Sequence, residues 1–225
     1  MKHSAILASV ILSTSALVAA HDMGSMVTWN REISRLVYDR CASCHRPGGA
    51  AFSLVTYSEA QQNVVAIKEA VLSRRMPPWG AVKGFGSFRN DQALTQEQIE
   101  LVVTWVESGA RRGNNPLALP KPPQTRSEPV FVPSPRSVAV SGDVVLDRAL
   151  LLDGVFPERV PEASSMRIVA RRPDGSEEPI VWLHGYAAVT PHPFLFRKPL
   201  SLPAGTALLG VLPSARVLLI PAETR

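Results

Sequence analysis

The chain has 225 residues, 45% of them hydrophobic and 19% charged, with a formal net charge of +5 and a sequence pI near 9.6. That length holds one large domain or two small ones. Its basic residues come as scattered pairs, Arg74-Arg75, Arg111-Arg112 and Arg171-Arg172, not as the runs of roughly 5–8 that mark nucleic-acid tails, so the charge points to acidic protein partners or an anionic membrane surface and away from nucleic acid.

Residues 1–20, MKHSAILASVILSTSALVAA, have the form of a secretory signal peptide: Lys2 is the positive start, Ala5 to Val18 the apolar stretch and Ala19-Ala20 the small-residue exit. No cysteine stands near that exit, which argues against a lipoprotein, and no later stretch is apolar for long enough to span a bilayer. The expectation is an exported, periplasmic protein without a transmembrane segment after cleavage. His21 would then be its first residue. A terminal amine and imidazole can chelate copper, with Met23 and Met26 close by, but such sites recruit another histidine and none is near in sequence.

Three amphipathic helices follow. Thr28 is placed to cap a helix with Trp29, Ile33, Leu36 and Val37 on its apolar face, leading into Cys41. Ser58-Glu59-Ala60-Gln61 has the spacing of a capping box and predicts a helix with Ala60, Val64, Ile67 and Val71 on one stripe, ending at Arg75. Thr95-Gln96-Glu97-Gln98 is a second box, before Ile99, Val102, Val103 and Val106, with Gly109 as the stop. Between the last two helices PPWGAVKGFGSFRND is glycine-rich and loop-like.

Seven prolines between Pro116 and Pro135 forbid helix and favour a stiff connector. Beyond them the periodicity becomes two, with turn signals around Gly142 and Gly154, at Pro173-Asp174-Gly175 and at Pro203-Ala204-Gly205, the pattern of an antiparallel sandwich or small barrel.

The chemistry is concentrated in Cys41-Ala42-Ser43-Cys44-His45. These are the only two cysteines in the chain, and C-x-x-C-H is the attachment pattern of c-type haem. On one helical turn both thiols can reach haem vinyl groups, and the next residue, His45, presents an imidazole to the iron. A thioredoxin-type dithiol needs a βαβ setting, and a structural zinc needs four ligands. Neither is present in the sequence around the motif. For a sixth iron ligand the candidates are Met23, Met26, Met76, Met166, His21, His184 and His192. Met76 alone lies between the haem motif and the end of the third helix, and the prolines behind it stiffen its loop. The competing role for Met76 is core filling.

The stretches VTWNREISRLVYDRCASCHRPGGAAFSLVTYSEA, RRMPPWG and GFGSFRNDQALTQEQIELVVTWVESGARRG resemble a class I c-type cytochrome domain of the kind found beside copper type II, ascorbate-dependent (peptidylglycine-hydroxylating-like) monooxygenase modules. The resemblance covers about residues 27–114. It implies an N-terminal all-α class I cytochrome c fold over 21–114; with the Pro-rich linker over 115–136 and the antiparallel β-sandwich over 137–225 read from prolines and patterning, the expectation is a multi-domain chain of α then β. It implies one covalent haem c on Cys41 and Cys44, with His45 and Met76 on the iron and Trp79 at the site. Ile33 and Leu36 would pack on Val102 and Val106. More weakly, MRIVARRPDGSEEPIVWLHGY and FRKPLSLPAGTALLG are similar to the second β domain of those monooxygenases. That family's His-x-His copper pair is replaced here by Glu158 and Arg159 in GVFPERVPE, so copper hydroxylation is not expected.

The expected function is that of an exported monohaem cytochrome carrying single electrons between periplasmic redox proteins, not of an enzyme. Two alternatives stand: a haem enzyme or redox sensor with a labile Met76, and a β domain that docks a periplasmic oxidoreductase complex. Arg74 and Arg75 either rim an exposed haem edge for acidic partners or are solvated charges at a helix end. Arg46 is a candidate partner for a haem propionate. His184 and His192 are lone histidines in the β half, where hydrogen bonding is commoner than metal binding.

Overall fold

The computed structural model describes residues 26–124, 131–186 and 191–223. The expected signal peptide over 1–20, His21 and Met23 lie outside the described residues. The helices are α1 (Ser34–Arg40), α2 (Tyr57–Gln62), α3 (Val64–Leu72) and α4 (Gln96–Glu107), with a wide π-helical turn at Trp29–Ile33 leading into α1 and a 3-10 turn at Pro116–Ala118. The strands are β1 (Val138–Val140), β2 (Val144–Val145), β3 (Leu150–Arg159), β4 (Ser165–Arg171), β5 (Glu177–His184), β6 (Phe194–Leu202), β7 (Ala207–Leu209) and β8 (Arg216–Pro221).

The strands form two antiparallel four-stranded sheets, in the orders β1-β8-β3-β6 and β2-β7-β4-β5. Met166, Ile168 and Ala170 alternate inward along β4 and meet Leu152, Val155, Val217 and Leu219 of the other sheet in one apolar core. β8 is buried along Val217–Ile220 because its outer face is covered too. There Leu218 and Ile220 pack with Phe156, and Phe131 lies against Phe156 at a centroid distance of 5.0 Å. Only the turn at Pro173-Asp174-Gly175 joins two paired strands, with Arg171 opposite Glu177. The turns at Gly142 and at Pro203-Ala204-Gly205 each pass from one sheet to the other, since β1 pairs β8, β2 pairs β7, β6 pairs β3 and β7 pairs β4.

The helices enclose a second core. Trp29 and Trp105 are buried with centroids 6.1 Å apart, surrounded by Ile33, Leu36, Val37, Ile99 and Val102, with Val106 at the margin. Each such aromatic burial contributes roughly 1.5–3 kcal/mol. The N-terminal turn is sewn to the chain after α4 by Trp29 N–H and Asn30 N–H donating to the Arg111 and Arg112 carbonyls, both at 2.9 Å.

The expectation of an all-α class I cytochrome c fold in the N-terminal half, and hence of a chain that is α then β, is overturned. The structure is mostly β, helices cover 22% of the described residues, and they are few and short. Two local causes are visible. The predicted long middle helix is cut at Asn63, whose φ of −117° and ψ of 14° leave the helical region while its Nδ2 donates to the Glu59 carbonyl at 2.8 Å. Its capping box is Thr56 with Glu59, not Ser58, and it ends at Leu72, not Arg75. Thr28 makes no side-chain cap; Glu32 instead reaches back to the Thr28 amide at 2.9 Å. The Thr95/Gln98 box forms as read.

The second cause is the stretch between α3 and α4, which gives its backbone to the sheets. Val82 N–H donates to the Trp182 carbonyl at 2.8 Å and His184 N–H to the Gly80 carbonyl at 2.9 Å, so residues 80–82 continue the second sheet beyond its edge strand β5. Arg89 N–H donates to the Leu195 carbonyl at 2.8 Å and Arg197 N–H to the Ser87 carbonyl at 2.9 Å, so residues 87–89 continue the first sheet beyond its edge strand β6. One loop thus straps one edge of each sheet, which would otherwise expose unpaired backbone groups. Trp79 and Phe88 plug into the sandwich core between them.

Candidate functional site

Cys41 to His45 form one helical turn after α1. The Cys41 carbonyl accepts from Cys44 N–H at 3.1 Å and from His45 N–H at 2.8 Å, while Cys41 N–H donates to the Val37 carbonyl at 2.9 Å. The chain then doubles back, with Ala51 N–H on the Cys44 carbonyl at 3.2 Å and Leu54 N–H on the His45 carbonyl at 3.1 Å. Gly49 permits this return: a Cβ there would sit 2.2 Å from the Cys44 carbonyl oxygen.

His45 Nδ1 lies 2.9 Å from the Phe52 carbonyl oxygen, and the Phe52 ring meets the imidazole edge-on at 4.9 Å. A carbonyl can only accept, so Nδ1 carries the proton and the Nε2 lone pair is left for another ligand. Metal-bound histidines are held in this way. Arg46 is half-buried next to it.

The two thiols differ. Both are free of any disulfide. Cys41 packs against the helical core, and burial, reinforced by the nearby Asp39 carboxylate and the Cys44 thiol, pushes its thiol up to about 12. Burial and the neighbouring acidic groups thus favour its neutral thiol form.

Met76 stands on the loop after α3. Its amide and that of Arg75 both donate to the Ala70 carbonyl, at 3.2 and 2.9 Å, and Arg74 turns the chain in a left-handed conformation with φ of +54°. Met76 is 40% exposed, so core filling is not its role. It lines a cleft of about 650 Å³ whose apolar wall includes Val71, Leu94, Ile99 and Trp79. Arg74, Arg75, Lys83 and His184 also line it, with no carboxylate. Cys41, Cys44 and His45 are not among the lining residues. The structure therefore gathers the motif residues on one turn and joins Met76 and Trp79 on a separate cleft wall.

His192, a ligand candidate in the sequence, and Tyr186, which the sequence did not single out, hold that wall. His192 stacks on Trp79 with centroids 5.1 Å apart and planes 20° apart, and its Nε2 is 3.1 Å from the Trp79 carbonyl oxygen. Tyr186 lies 5.5 Å from His192 and accepts from the His192 amide at 3.3 Å. Further along the strap Arg89 makes a two-pronged pair with Asp153 at 2.7 and 2.9 Å, and Asn90 bonds the Pro193 carbonyl and the Leu195 amide at 2.8 and 3.1 Å. The available signal was three aromatics, Trp79, Phe85 and Phe88, in a loop too glycine-rich to bury them by itself.

Glu158 and Arg159, at the position of the absent copper pair, are used in packing the β half: Glu158 pairs with Arg216 and Arg159 Nε donates to the Ser214 carbonyl at 3.3 Å. Met166 is buried in the sandwich core, and Met26 lies 3.3 Å from Arg111. Among the described residues no group of three or more His, Cys, Asp or Glu side chains is placed to hold a metal ion, and no helix is long and apolar enough to cross a membrane. Comparison with family models, with curated proteins and with solved structures gave no match.

Proposed function

We propose that this chain carries one haem c, bound through thioethers at Cys41 and Cys44 with His45 and Met76 as iron ligands, and that it passes single electrons between exported redox partners. The observation that carries the proposal is the single turn Cys41–His45 with His45 Nδ1 pinned on the Phe52 carbonyl. That arrangement puts both thiols and a free imidazole nitrogen on one five-residue segment, as covalent haem attachment requires. The cleft lined by Met76 has apolar walls and a cationic rim, which suits a ring bearing carboxylates, but Cys41, Cys44 and His45 are not among its lining residues, so the ligand set rests on the motif turn and not on the cleft. When bound, the haem supplies a one-electron couple.

The chain's own residues have distinct tasks. Phe52 fixes the tautomer of His45. Val71, Leu94 and Ile99 exclude water from the cleft wall. Arg74 and Arg75 are exposed and form no ion pair among the described residues, so their charge is available to propionates or to an acidic partner. The resemblance to cytochrome domains beside copper monooxygenase modules supports the ligand set, although the fold differs from the class I one.

Export in a host that attaches c-type haem tests the proposal. Haem should stay on the denatured chain of the parent and be lost from Cys41→Ala/Cys44→Ala; non-covalent or absent haem in the parent would sink it. Met76→Ala should change the optical spectrum in both oxidation states. The 40% exposure of Met76 favours a second function, a sensor or enzyme site with a labile sixth ligand. Carbon monoxide binding to the reduced parent at low concentration would select it over pure electron transfer.

A further inference from the structure

We infer that the β sandwich is the brace for Met76, and that His192 is a positioning residue acting through Trp79. The inference rests on Met76 being an iron ligand.

Met76 is suspended between two supports. On the helical side its amide reaches the Ala70 carbonyl at 3.2 Å, while the residue is 40% exposed. On the other side Trp79 follows after Pro77 and Pro78, which have no N–H and a fixed φ. Two rigid residues transmit the position of Trp79 to Met76 with little slack. Trp79 itself is 4% exposed and belongs to the sandwich core. His192 stacks on its indole and meets its carbonyl oxygen. Phe194 and Phe88 lie edge-on to it at 4.6 and 5.9 Å. The next residues are tied to β5 through Gly80 and Val82.

Apart from Phe88, which is on the strap itself, these contacts come from β5, β6 and the segment before β6, none of which belongs to the helical core. The helical half thus holds the loop up to Met76, through the Ala70 carbonyl, and the β half holds it from Trp79 onward. An iron–thioether bond is weak compared with iron–imidazole, so its strength depends on how well the sulfur is held in place. The β half, which has no chemistry of its own assigned, supplies that hold.

The test uses the full-length, haem-loaded protein. His192→Ala removes the stack and the bond to the Trp79 carbonyl; His192→Gln keeps a donor for that carbonyl. The readouts are the thioether-to-iron charge-transfer absorption of the ferric form and the rate of carbon monoxide binding to the ferrous form. His192→Ala should weaken the absorption and speed carbon monoxide binding about tenfold, as loss of one hydrogen bond and one ring contact implies. His192→Gln should recover part of both. Leu208→Val, in the same core but on β7, should lower the urea midpoint and move neither readout.

If His192→Ala lowers the urea midpoint and leaves absorption and carbon monoxide rate at parental values, the brace is refuted. Should His192→Ala not fold, Arg89→Lys at the far end of the strap is read in the same way, with unchanged readouts again refuting it. Met76→Ala separates the two levels. Absorption surviving in Met76→Ala refutes the ligand assignment and the brace together, whereas absorption lost there but kept in His192→Ala refutes the brace alone.

Discussion

Val82 and Trp182 are a hundred positions apart in sequence, yet the Val82 amide donates to the Trp182 carbonyl at 2.8 Å, and Phe85 on the same loop meets the Trp182 ring at 6.0 Å. The loop that follows the candidate ligand Met76 is thereby part of a β-sheet. Arg167, from β4, lies 4.9 Å above the Phe85 ring and closes the outer side of this contact.

Glycine substitutions along the strap should divide sharply. Gly80 has φ of +69° and an added Cβ would stand 2.9 Å from Tyr186 Cα; at Gly86, with φ of +81°, it would stand 2.7 Å from the Ile180 carbonyl oxygen. Gly84 has φ of +85° with nothing within 4 Å. Gly84→Ala should cost about 1 kcal/mol from backbone strain alone, and Gly80→Ala and Gly86→Ala about 2–4 kcal/mol. Urea unfolding measures all three, and equal costs would contradict the close approach.

The Arg89–Asp153 pair is two-pronged, and Arg89 also bonds the Phe196 carbonyl at 2.7 Å. Arg89→Lys keeps the charge and loses the fork. Because Arg89 is 44% exposed, solvent screening limits the loss to about 1 kcal/mol. The exposed Lys68–Glu107 pair links α3 to α4 at 2.7 Å, and Lys68→Ala should cost at most about 0.5 kcal/mol. Chemical denaturation at two salt concentrations would rank them.

Two of the three tyrosines should ionise late. Burial raises the Tyr186 phenol above its ordinary value of 10, opposed by the bond it accepts from the His192 amide. Burial, with the Glu59 charge adding to it, raises Tyr38. The neutral phenols are favoured in the folded state, so their contribution to stability is complete below pH 10 and is lost as pH rises through the raised folded values. Phenolate absorbance in Tyr186→Phe and Tyr38→Phe should lack the late-titrating component of the parent, and both variants should lose less stability than the parent in alkali.

Removing residues 137–225 should leave the helical part with an exposed apolar loop. Trp79 and Phe88 are 4% and 5% exposed in the full chain, and both are buried against the sandwich. The fragment should bind a hydrophobic dye and aggregate more readily than the full chain. A fragment that stays monomeric and dye-free would show that the loop finds another burial site.

Local features were legible because their causes are local. The turn Cys41–His45, the Thr95/Gln98 capping box, the apolar face Trp29, Ile33, Leu36 and Val37, and the hairpin at Pro173-Asp174-Gly175 each depend on residues a few positions apart. The break at Asn63 was harder to see, because an asparagine in a helical stripe differs little in propensity from its neighbours until its side chain bonds the backbone. The turns at Gly142 and Pro203-Ala204-Gly205 were legible as turns but not as crossings between sheets, since turn chemistry does not state which strand the chain meets next.

By itself, then, the sequence determined where chain direction changes, which faces are apolar and that Cys41–His45 has the C-x-x-C-H pattern, since hydrogen-bonding patterns and periodicity act within a few residues. Only the tertiary structure decided that PPWGAVKGFGSFRND straps two sheet edges, that Trp79 belongs to the sandwich core, and that the helices do not assemble into a class I cytochrome fold. Those outcomes depend on unpaired backbone groups and apolar rings finding partners about a hundred residues away, Trp79 on His192 and Arg89 on Leu195, and no local pattern encodes that meeting.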